Sequence, residues 1–488
     1  MSSRLARVVG WPPAPPWIAL AATVLLGVEL SARVFTSNDE ARFPLLAQDI
    51  LTRGDWLWPQ LNGVGYFNKP PLLAWLIALV SWPAGHVTQL TAVLPSAAAV
   101  VATVLLVHAL ARDLFDAEAG RIAALVAMTT QGLFFHAHLA LPDTLMTCFI
   151  TASVWMLARM TLEPSGPWWI GFYGFAAAAF WAKGPAGLLP LAVGLAYRLA
   201  NRSGRPWSLR LGSGLPFLGG LVALWWLLGV FADSHAVREA VVTDQLGWYQ
   251  PRGNILALLT GPVGNLAVAL SPWVLLAPVA VPAAVLAYRR DRTRPALLLP
   301  LVWLAVTITL VALSREQRLR YYAPVAPPMA LVMGWWLASR RVERGKDGGT
   351  RAPWSEVVAG RVRGALPFVW LATVAAFGIG YHLEVTHHNA AGSYDRLAGR
   401  VRAFDGASAV VVWGIPELPL AFYLDRTVSR VHTEPQLHAA LERTPSAVVV
   451  ATESNWARRR AVEASAAPRT AEAIDPAQVV LVPLSAQR

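Results

Sequence analysis

The sequence contains few charged residues for its length. Only 14% of its 488 residues are Asp, Glu, Lys or Arg, whereas about 25% is usual in soluble domains. Hydrophobic residues make up 55% of the chain. Such a composition excludes a disordered chain and an ordinary soluble domain, because both need more polar residues. It predicts a protein whose surroundings are largely lipid.

Cysteine is almost absent, since Cys148 is the one cysteine in the chain. An intrachain disulfide is therefore excluded. The net charge of +12 does not indicate nucleic-acid binding. Lys and Arg gather on the cytoplasmic side of membrane proteins, where they face anionic lipids. We expect no nucleic-acid partner.

Long hydrophobic runs dominate the sequence, and roughly eleven of them are long enough to cross a bilayer as helices. They predict an all-α polytopic membrane domain with additional interfacial helices. The runs occupy residues 17–35, 90–111, 121–141, 143–160, 167–182, 184–200, 211–231, 262–287, 295–313, 321–338 and 365–383.

One further apolar run, 72–85, is shorter and is predicted as a helix lying along the outer face of the membrane. With this assignment the arginine-rich loops, such as 289–294 and 340–363, all fall on the cytoplasmic side, as the positive-inside rule requires. The first run is longer than a signal-peptide core and is predicted to be a retained helix. The N-terminus is then cytoplasmic.

The composition changes after the last apolar run. Short β-rich runs at 409–413, 447–451 and 479–483 alternate with segments of helical character, such as 434–443. This pattern predicts two domains: a multispan membrane domain, 1–383, and a small C-terminal α/β domain, 384–488. An odd number of spans places the second domain outside the cytoplasm.

The predicted outer loops carry charged residues that topology does not explain. Charged groups drawn to bilayer depth cost about 3 kcal/mol, so such residues often mark a substrate path. Acids and cations together suit a phosphate-bearing lipid headgroup and a polar group to be deprotonated. The candidates are Asp39, Glu40, Arg42, Lys69, Asp143, Lys183, Asp244, Arg252, Arg315, Arg318, Arg320 and Tyr321.

Each candidate also has a purely structural interpretation. Asp39 and Glu40 suit the start of an amphipathic helix. Lys69 suits an interfacial anchor, because long cationic side chains reach from apolar surroundings to water. Asp143 follows Pro142 and suits a helix N-cap, Lys183 suits a helix end, and the segment 314–322 suits a solvated loop.

Several motifs resemble the polyprenyl-phosphate-dependent glycosyltransferases of the protein mannosyltransferase superfamily, most closely the bacterial aminoarabinose transferases of lipid A. "DEARF" at 39–43, "GDWLWP" at 54–59 and "YFNKPP" at 66–71 match their first outer loop in order. "LPDTL" at 141–145, "WAKGPAGLLP" at 181–190 and "SREQRLRYY" at 314–322 resemble later segments. The resemblance implies a GT-C-like fold in the bacterial inner membrane, with the active site and C-terminal domain outside the cytoplasm.

By position, the resemblance implies that Asp39 is the catalytic carboxylate and that Asp143 is a second acidic residue of the site. Lys69, Arg320 and Tyr321 would face the phosphate of a polyprenyl-phosphate sugar donor, and Arg252 matches less well. The sequence departs from the family pattern at two places: Asn68 stands where the family usually has Glu, and the segment 242–249 lacks the family's Glu-His pair. In the family these residues are linked with a bound metal, and they bear on which sugar is transferred. No cofactor is therefore assigned, and a divalent metal is left open.

The chemistry can be derived from these residue types. A phosphate leaving group needs little protonation, because its second pKa is about 6. Cations that neutralise its charge can therefore replace a general acid. Lys69 with Arg318 or Arg320 would serve that purpose. Asp39 would take the proton of the acceptor hydroxyl, and a single carboxylate in this role predicts inversion at the anomeric carbon.

Two other functions are open to a multispan protein with charged outer loops. A transporter or flippase of lipid-linked sugars would need charged residues within spans or repeated broken helices. A polysaccharide polymerase or ligase would have no reason to carry the motifs at 39–43 and 66–71. The segment "YHLEVTHH" at 381–388 has spacing compatible with zinc, or forms a polar exit from the membrane. The sequence does not identify the acceptor, which is lipid A, a phospholipid, a cell-wall glycan or a protein.

Overall fold

The structure is a computed structural model and is mostly helical. It describes residues 14–201, 207–240, 255–291, 295–314, 318–339, 354–391, 393–403, 409–444, 447–452, 454–455 and 479–483. Its helices before residue 392 are Pro15–Gly27, Asn38–Arg53, Leu72–Ser81, Gln89–Leu114, Ala117–Met128, Gln131–Ala137, Pro142–Leu162, Trp168–Lys183, Leu189–Ala200, Leu211–Ala240, Ile255–Ala269, Ala277–Arg290, Pro295–Ala312, Ala326–Ala338 and Trp354–Ala391.

Four helical segments of the described chain are long and apolar enough to cross a membrane by themselves: Gln89–Leu114, Pro142–Leu162, Trp273–Arg290 and Trp354–Arg402. The helix Leu72–Ser81 has 10 residues. A helix of that length rises about 15 Å, half the thickness of the hydrocarbon core. It is too short to span the membrane, as the length of the apolar run predicts.

Several predicted spans are not continuous α-helices: the run 17–35 is helical only as Pro15–Gly27, and two other runs are broken in the middle. The run 121–141 is interrupted between residues 128 and 131, and the run 262–287 is interrupted between residues 269 and 277. Hydropathy alone cannot reveal such breaks, because the residues on both sides are equally apolar. The resulting helices are Ala117–Met128 with Gln131–Ala137, and Ile255–Ala269 with Ala277–Arg290.

These two breaks meet and satisfy each other's backbone groups. The N–H of Gln131 donates to the carbonyl of Ser271 at 3.0 Å. The indole Nε1 of Trp273 donates to the carbonyl of Thr129 at 3.1 Å. A helix break away from water is tolerated only where its freed polar groups find partners. The meeting of two breaks supplies those partners.

The C-terminal part of the chain contains a four-stranded mixed sheet. Val410–Trp413 lies between Ser429–Val431 and Val448–Thr452, and both pairings are parallel. Val479–Pro483 pairs with Val448–Thr452 in antiparallel register, from Val448 opposite Pro483 to Thr452 opposite Val479. The helices of this part are Tyr394–Arg402, Glu417–Leu424 and Glu434–Arg443.

Alternate residues of the central strands pack on opposite faces of this sheet. Val410 and Val412 belong to one apolar cluster, whereas Val411 and Trp413 belong to another. Because both faces are covered, the strand is apolar at every position, as is usual for a parallel strand between helices. The runs 409–413, 447–451 and 479–483, and the helical segment 434–443, were predicted from this pattern, whereas Ser429–Val431 and Glu417–Leu424 were not.

The chain divides into two compact units that are not consecutive in sequence. The first unit comprises residues 1–28, 67–73 and 95–380. The second comprises 29–66, 74–94 and 381–488. The predicted boundary after residue 383 falls inside the helix Trp354–Ala391, close to the division at 380. The second unit also contains the segment around Asp39, which the sequence analysis assigned to the membrane domain.

Candidate functional site

The first unit contains a cavity of about 390 Å³ that collects residues from four separate segments. Its polar lining consists of Asn68, Lys69, Lys183, Ser314, Thr307 and Tyr321, and its apolar lining of Met146, Pro185, Ala186, Leu188, Leu189, Ala192, Leu310, Val311 and Pro324. The cavity therefore presents cations beside an extended apolar wall. This combination suits a molecule with an anionic head and a hydrocarbon chain.

A buried ion pair stands at this cavity. Asp143 is in the first turn of the helix Pro142–Leu162, and Lys183 is the last residue of the helix Trp168–Lys183. The two helices follow each other through a short connection and pack together, so the beginning of one lies beside the end of the next. The Lys183 ammonium donates to Oδ1 of Asp143. Each charge also has the sign that its helix end favours.

Because the ion pair is buried, the loss of either partner would cost more free energy of folding than the loss of a partner in a surface ion pair. The side chain of Asp143 is 1% exposed and that of Lys183 is 11% exposed. A carboxylate withdrawn from water is tolerated only with a charged partner and hydrogen bonds. Asp143 therefore keeps Lys183 in one position, and Lys183 in turn lines the cavity.

Residues 318–325 complete the cluster from the far end of the chain. The Lys183 ammonium lies 4.3 Å from the ring centroid of Tyr321, a cation–π arrangement. The guanidinium of Arg320 lies 5.6 Å from the same ring and interacts electrostatically with Asp143. Arg318 is exposed, directly before the 3₁₀ helix Leu319–Val325. The structure thus brings together Asp143, Lys183, Arg320 and Tyr321.

The turn after Lys183 depends on glycine. Gly184 has φ of +82°, in the region that favours glycine. A Cβ on Gly187 would lie 2.2 Å from the carbonyl carbon of Ala179, which is backbone and cannot move away. The chain therefore folds tightly back against the helix that carries Lys183, and the "KGPAG" motif fixes one wall of the cavity.

The second unit contains the other acidic candidates, at the start of the helix Asn38–Arg53. Ser37 and Glu40 form a reciprocal capping box, and Glu40 also pairs with Arg33 at 2.9 Å. The Glu40 side chain is 8% exposed. Asp39 pairs with Arg42 at 2.9 Å, and its side chain is 27% exposed. Glu40 therefore has the contacts of a capping residue, whereas Asp39 is the more accessible carboxylate.

Arg33 links this helix to the end of Trp354–Ala391. Its Nη1 donates to Nε2 of His388 at 3.0 Å, while its Nη2 contacts Glu40. The side-chain amide of Asn389 accepts the N–H of Val34 at 3.0 Å and donates to the carbonyl of Ala32 at 2.7 Å. The loop before the Asp39 helix is thus held by side chain and backbone together.

Two histidines of the segment 381–388 contact charged residues near the start of the second unit. His382 pairs with Glu29 at 2.6 Å, and His388 contacts Arg33. Within the described ranges, no three His, Cys, Asp or Glu residues are grouped so that they could hold a metal ion.

The outcome for the predicted site residues differs between segments. Lys69, Asp143, Lys183, Arg320 and Tyr321 come together in the first unit. Asp39 and Glu40 lie in the second unit. Asp244, Arg252 and Arg315 lie outside the described residues. The sequence singles out His388 only through the spacing of the segment 381–388, and a lone Arg such as Arg33 carries no spacing signal, so the contact between them was not predicted.

Comparison with known proteins shows that the chain is similar in sequence to sugar transferases whose names include a lipid phosphate. A family model described as dolichyl-phosphate-mannose-protein mannosyltransferase matches residues 68–231. An undecaprenyl phosphate-alpha-4-amino-4-deoxy-L-arabinose arabinosyl transferase from Pseudomonas aeruginosa (strain LESB58) is 31% identical over 331 residues, 64% of this chain and 57% of that protein. A protein of the same name from Pectobacterium carotovorum subsp. carotovorum (strain PC1) is 26% identical over 324 residues, 63% of this chain and 56% of that protein.

Solved structures give a match over nearly the whole chain. The crystal structure of ArnT from Cupriavidus metallidurans bound to undecaprenyl phosphate aligns with a TM-score of 0.74 and 18% identity, over 97% of this chain and 99% of that one. The Archaeoglobus fulgidus oligosaccharyltransferase aligns with a TM-score of 0.52 and 13% identity, over 89% of this chain and 68% of that one. The chain therefore has a polytopic GT-C membrane fold.

The resemblance to polyprenyl-phosphate-dependent glycosyltransferases that the loop motifs predicted is confirmed by these comparisons. The matched sequence covers little more than half the length of these relatives. The family model matches residues 68–231, whereas the similarity in fold covers 97% of this chain.

Proposed function

We propose that this chain, whose fold is that of the GT-C membrane glycosyltransferases, transfers a sugar from a polyprenyl monophosphate carrier to an acceptor hydroxyl or phosphate. The observation that carries the proposal is the cavity in which Lys69, Lys183 and Tyr321 line a space beside an apolar wall. Relatives named as undecaprenyl phosphate aminoarabinose transferases support the same reaction class.

In this proposal the cationic part of the cavity binds the phosphate of the carrier, and the apolar wall contacts its hydrocarbon chain. Lys69 and Lys183 neutralise the charge that grows on the phosphate as the bond to the sugar breaks. Arg320 and Arg318 add positive charge at the same end. Fixed cations in a site with little water stabilise this charge more strongly than they would in bulk water.

Asp143 has a positioning role in this scheme. Its carboxylate is bonded to Lys183 and is almost completely buried. The pair fixes the Lys183 ammonium in one position and orientation, with the Tyr321 ring on another side. A cation that is already oriented needs no reorganisation when the reaction occurs, which is how such groups lower a barrier.

Asp39 is the proposed base that takes the proton from the acceptor. Its side chain is partly exposed and lies in the first turn of a helix whose N-terminal end is fixed by the Ser37–Glu40 capping box. Glu40 completes this capping box and pairs with Arg33. With one carboxylate acting as base, the acceptor displaces the phosphate directly, and the configuration at the anomeric carbon inverts.

The proposed setting is the inner membrane of a bacterium, with roughly eleven spans counted from the apolar runs. The N-terminus is cytoplasmic, and the site and the C-terminal α/β domain, 384–488, face away from the cytoplasm. The arginine-rich loops 289–294 and 340–363 support this orientation, because the positive-inside rule places them in the cytoplasm.

Incubation of membranes containing the protein with radiolabelled polyprenyl-phosphate sugars tests the proposal. We expect label to move from the carrier into a lipid or glycan fraction with the wild-type protein and not with Asp39→Asn. Separation of the products identifies the acceptor. Label that stays on the carrier, or that only crosses the bilayer while attached to it, would contradict transfer and favour a transporter.

A further inference from the structure

The residue before Asp39 makes contacts that its sequence gives no reason to expect. Asn38 is the first residue of the helix Asn38–Arg53. Its Nδ2 donates to Oε2 of Glu417 at 3.0 Å, and its Oδ1 accepts the N–H of Leu418 at 3.1 Å. Both ends of one side-chain amide are therefore bonded to residues of the C-terminal segment.

These two bonds meet a specific need of the helix Glu417–Leu424. The first N–H groups of a helix have no partner within the helix and require a cap. The N-cap residue, Pro416, makes no side-chain capping bond. Asn38 supplies that acceptor from a distant part of the chain, and Asn is among the residue types best suited to capping. One amide thus joins the starts of two helices.

Glu417 is itself held in place. Its Oε2 accepts a hydrogen bond from Nη1 of Arg430 at 3.1 Å, and its side chain is 16% exposed. Arg430 lies in the strand Ser429–Val431, at the edge of the four-stranded sheet. The bond to Asn38 is therefore anchored to the sheet through Arg430.

Two further contacts hold the chain on either side of the Asp39 helix to the same segment. Before it, the N–H of Phe35 donates to the Tyr423 hydroxyl at 2.9 Å. Burial raises the pKa of Tyr423 to about 12, so this hydroxyl stays neutral. After it, the side-chain amide of Asn62 bonds the N–H and the carbonyl of Val428, at 2.8 and 2.6 Å.

We propose that Asn38 and Glu417 form a positioning clamp for Asp39, so that the C-terminal segment is part of the catalytic apparatus. The inference rests on the proposed role of Asp39 as the base. Asn38 is adjacent to Asp39 in the chain, and a rotation of the first helical turn would move the carboxylate with it. The clamp fixes that turn at its first residue.

Loss of the clamp affects the chemical step more than donor binding. A displacement of a reacting group by about 1 Å can lower a rate roughly 100-fold, even when the changed residue makes no contact with substrate. The cations proposed to bind the donor phosphate lie in the other unit of the chain. We therefore expect kcat to fall and the KM for the donor to stay close to the wild-type value.

The test uses purified full-length protein in detergent with a labelled polyprenyl-phosphate sugar. We expect Asn38→Ala and Glu417→Ala each to lower kcat between about 10- and 100-fold. The double variant is expected to lose clearly less than the product of the two single losses, because both changes remove the shared Asn38–Glu417 bond. Glu417→Gln keeps an acceptor for Asn38 and is expected to restore most of the rate.

A matched control is Glu442→Ala, which removes an exposed carboxylate from the same segment. Glu442 is 68% exposed, and it pairs with His438 of its own helix at 3.2 Å. We expect its kcat to match the wild type. Equal losses for Glu442→Ala and Glu417→Ala would overturn the clamp, because a general weakening of the segment would then explain both.

A second measurement distinguishes failure of the clamp from failure of the proposed function. In hydrogen–deuterium exchange, Asn38→Ala and Glu417→Ala should increase exchange of amides in residues 35–45 and at Leu418. Unchanged exchange there, or wild-type kcat in both variants while Asp39→Asn is inactive, would overturn the clamp alone. Wild-type kcat in Asp39→Asn would overturn the base assignment and the clamp's role with it. Absence of transfer by the wild-type protein would refute the proposed function, and exchange would then decide the clamp.

Discussion

Replacement of Asp143 by Asn should destabilise the protein more than any loss of a surface ion pair. The change leaves the Lys183 ammonium, which is 11% exposed, without its buried carboxylate. Removal of one partner from a buried pair costs about 3–5 kcal/mol, because the remaining charge stays buried. The Tyr321 ring, 4.3 Å from the ammonium, still offers about 0.5–2 kcal/mol of cation–π attraction. We therefore expect a loss near the lower end, about 3 kcal/mol.

The assay is thermal unfolding of the purified protein in detergent, followed by tryptophan fluorescence. Membrane proteins of this size often unfold irreversibly, so unfolding rates at one temperature are compared as well as apparent Tm values. Glu163→Gln is the matched control. It breaks the pair Arg159–Glu163, in which the side chains are 25% and 50% exposed, and such exposed pairs contribute about 0–1 kcal/mol.

A double variant separates stability from activity at the same pair. Asp143→Leu with Lys183→Met leaves no buried charge, and apolar replacements of buried pairs are often neutral in stability. We expect this double variant to be more stable than Asp143→Asn and still inactive in sugar transfer. The reasoning is refuted if Asp143→Asn unfolds no more readily than Glu163→Gln, or if the double variant transfers sugar at the wild-type rate.

Two further predictions concern the cavity and its wall. Lys69→Ala should raise the KM for the donor about 10-fold or more with little change in Tm, since a charge-assisted bond contributes about 1.5–3 kcal/mol; an unchanged KM in donor titrations would contradict this. Gly187→Ala should lower the yield of folded protein, because the added Cβ would lie 2.2 Å from the Ala179 backbone, whereas Gly174→Ala meets nothing within 4 Å and should not; equal yields by size-exclusion chromatography would contradict the packing argument.

The sequence predicted those features that depend on local composition. Apolar runs identified the helical membrane part, and the β-rich runs identified three of the four strands of the C-terminal sheet. Asp39 and Glu40 have two interpretations from the sequence, as helix-capping residues or as site residues. The structure shows that Glu40 completes a capping box with Ser37, as the capping interpretation predicts.

The sequence could not reveal features that depend on distant partners. The helix break near Thr129 has no hydropathy signal, because the residues on both sides are equally apolar. The partner of its freed carbonyl, Trp273, lies far along the chain. The same holds for Asn38 and Glu417, which are 379 residues apart. Single polar residues of common types have no periodicity, so only the folded structure brings such pairs to attention.

The most direct test of sugar transfer follows the donor itself in a single turnover. Purified protein in excess over a labelled polyprenyl-phosphate sugar, with the membrane fraction that accepts label, is quenched at successive times. The proposed function predicts that free polyprenyl phosphate forms at the same rate as labelled product, and that Asp39→Asn forms neither. An intact donor with the wild-type protein, or equal rates for Asp39→Asn and the wild type, would contradict it.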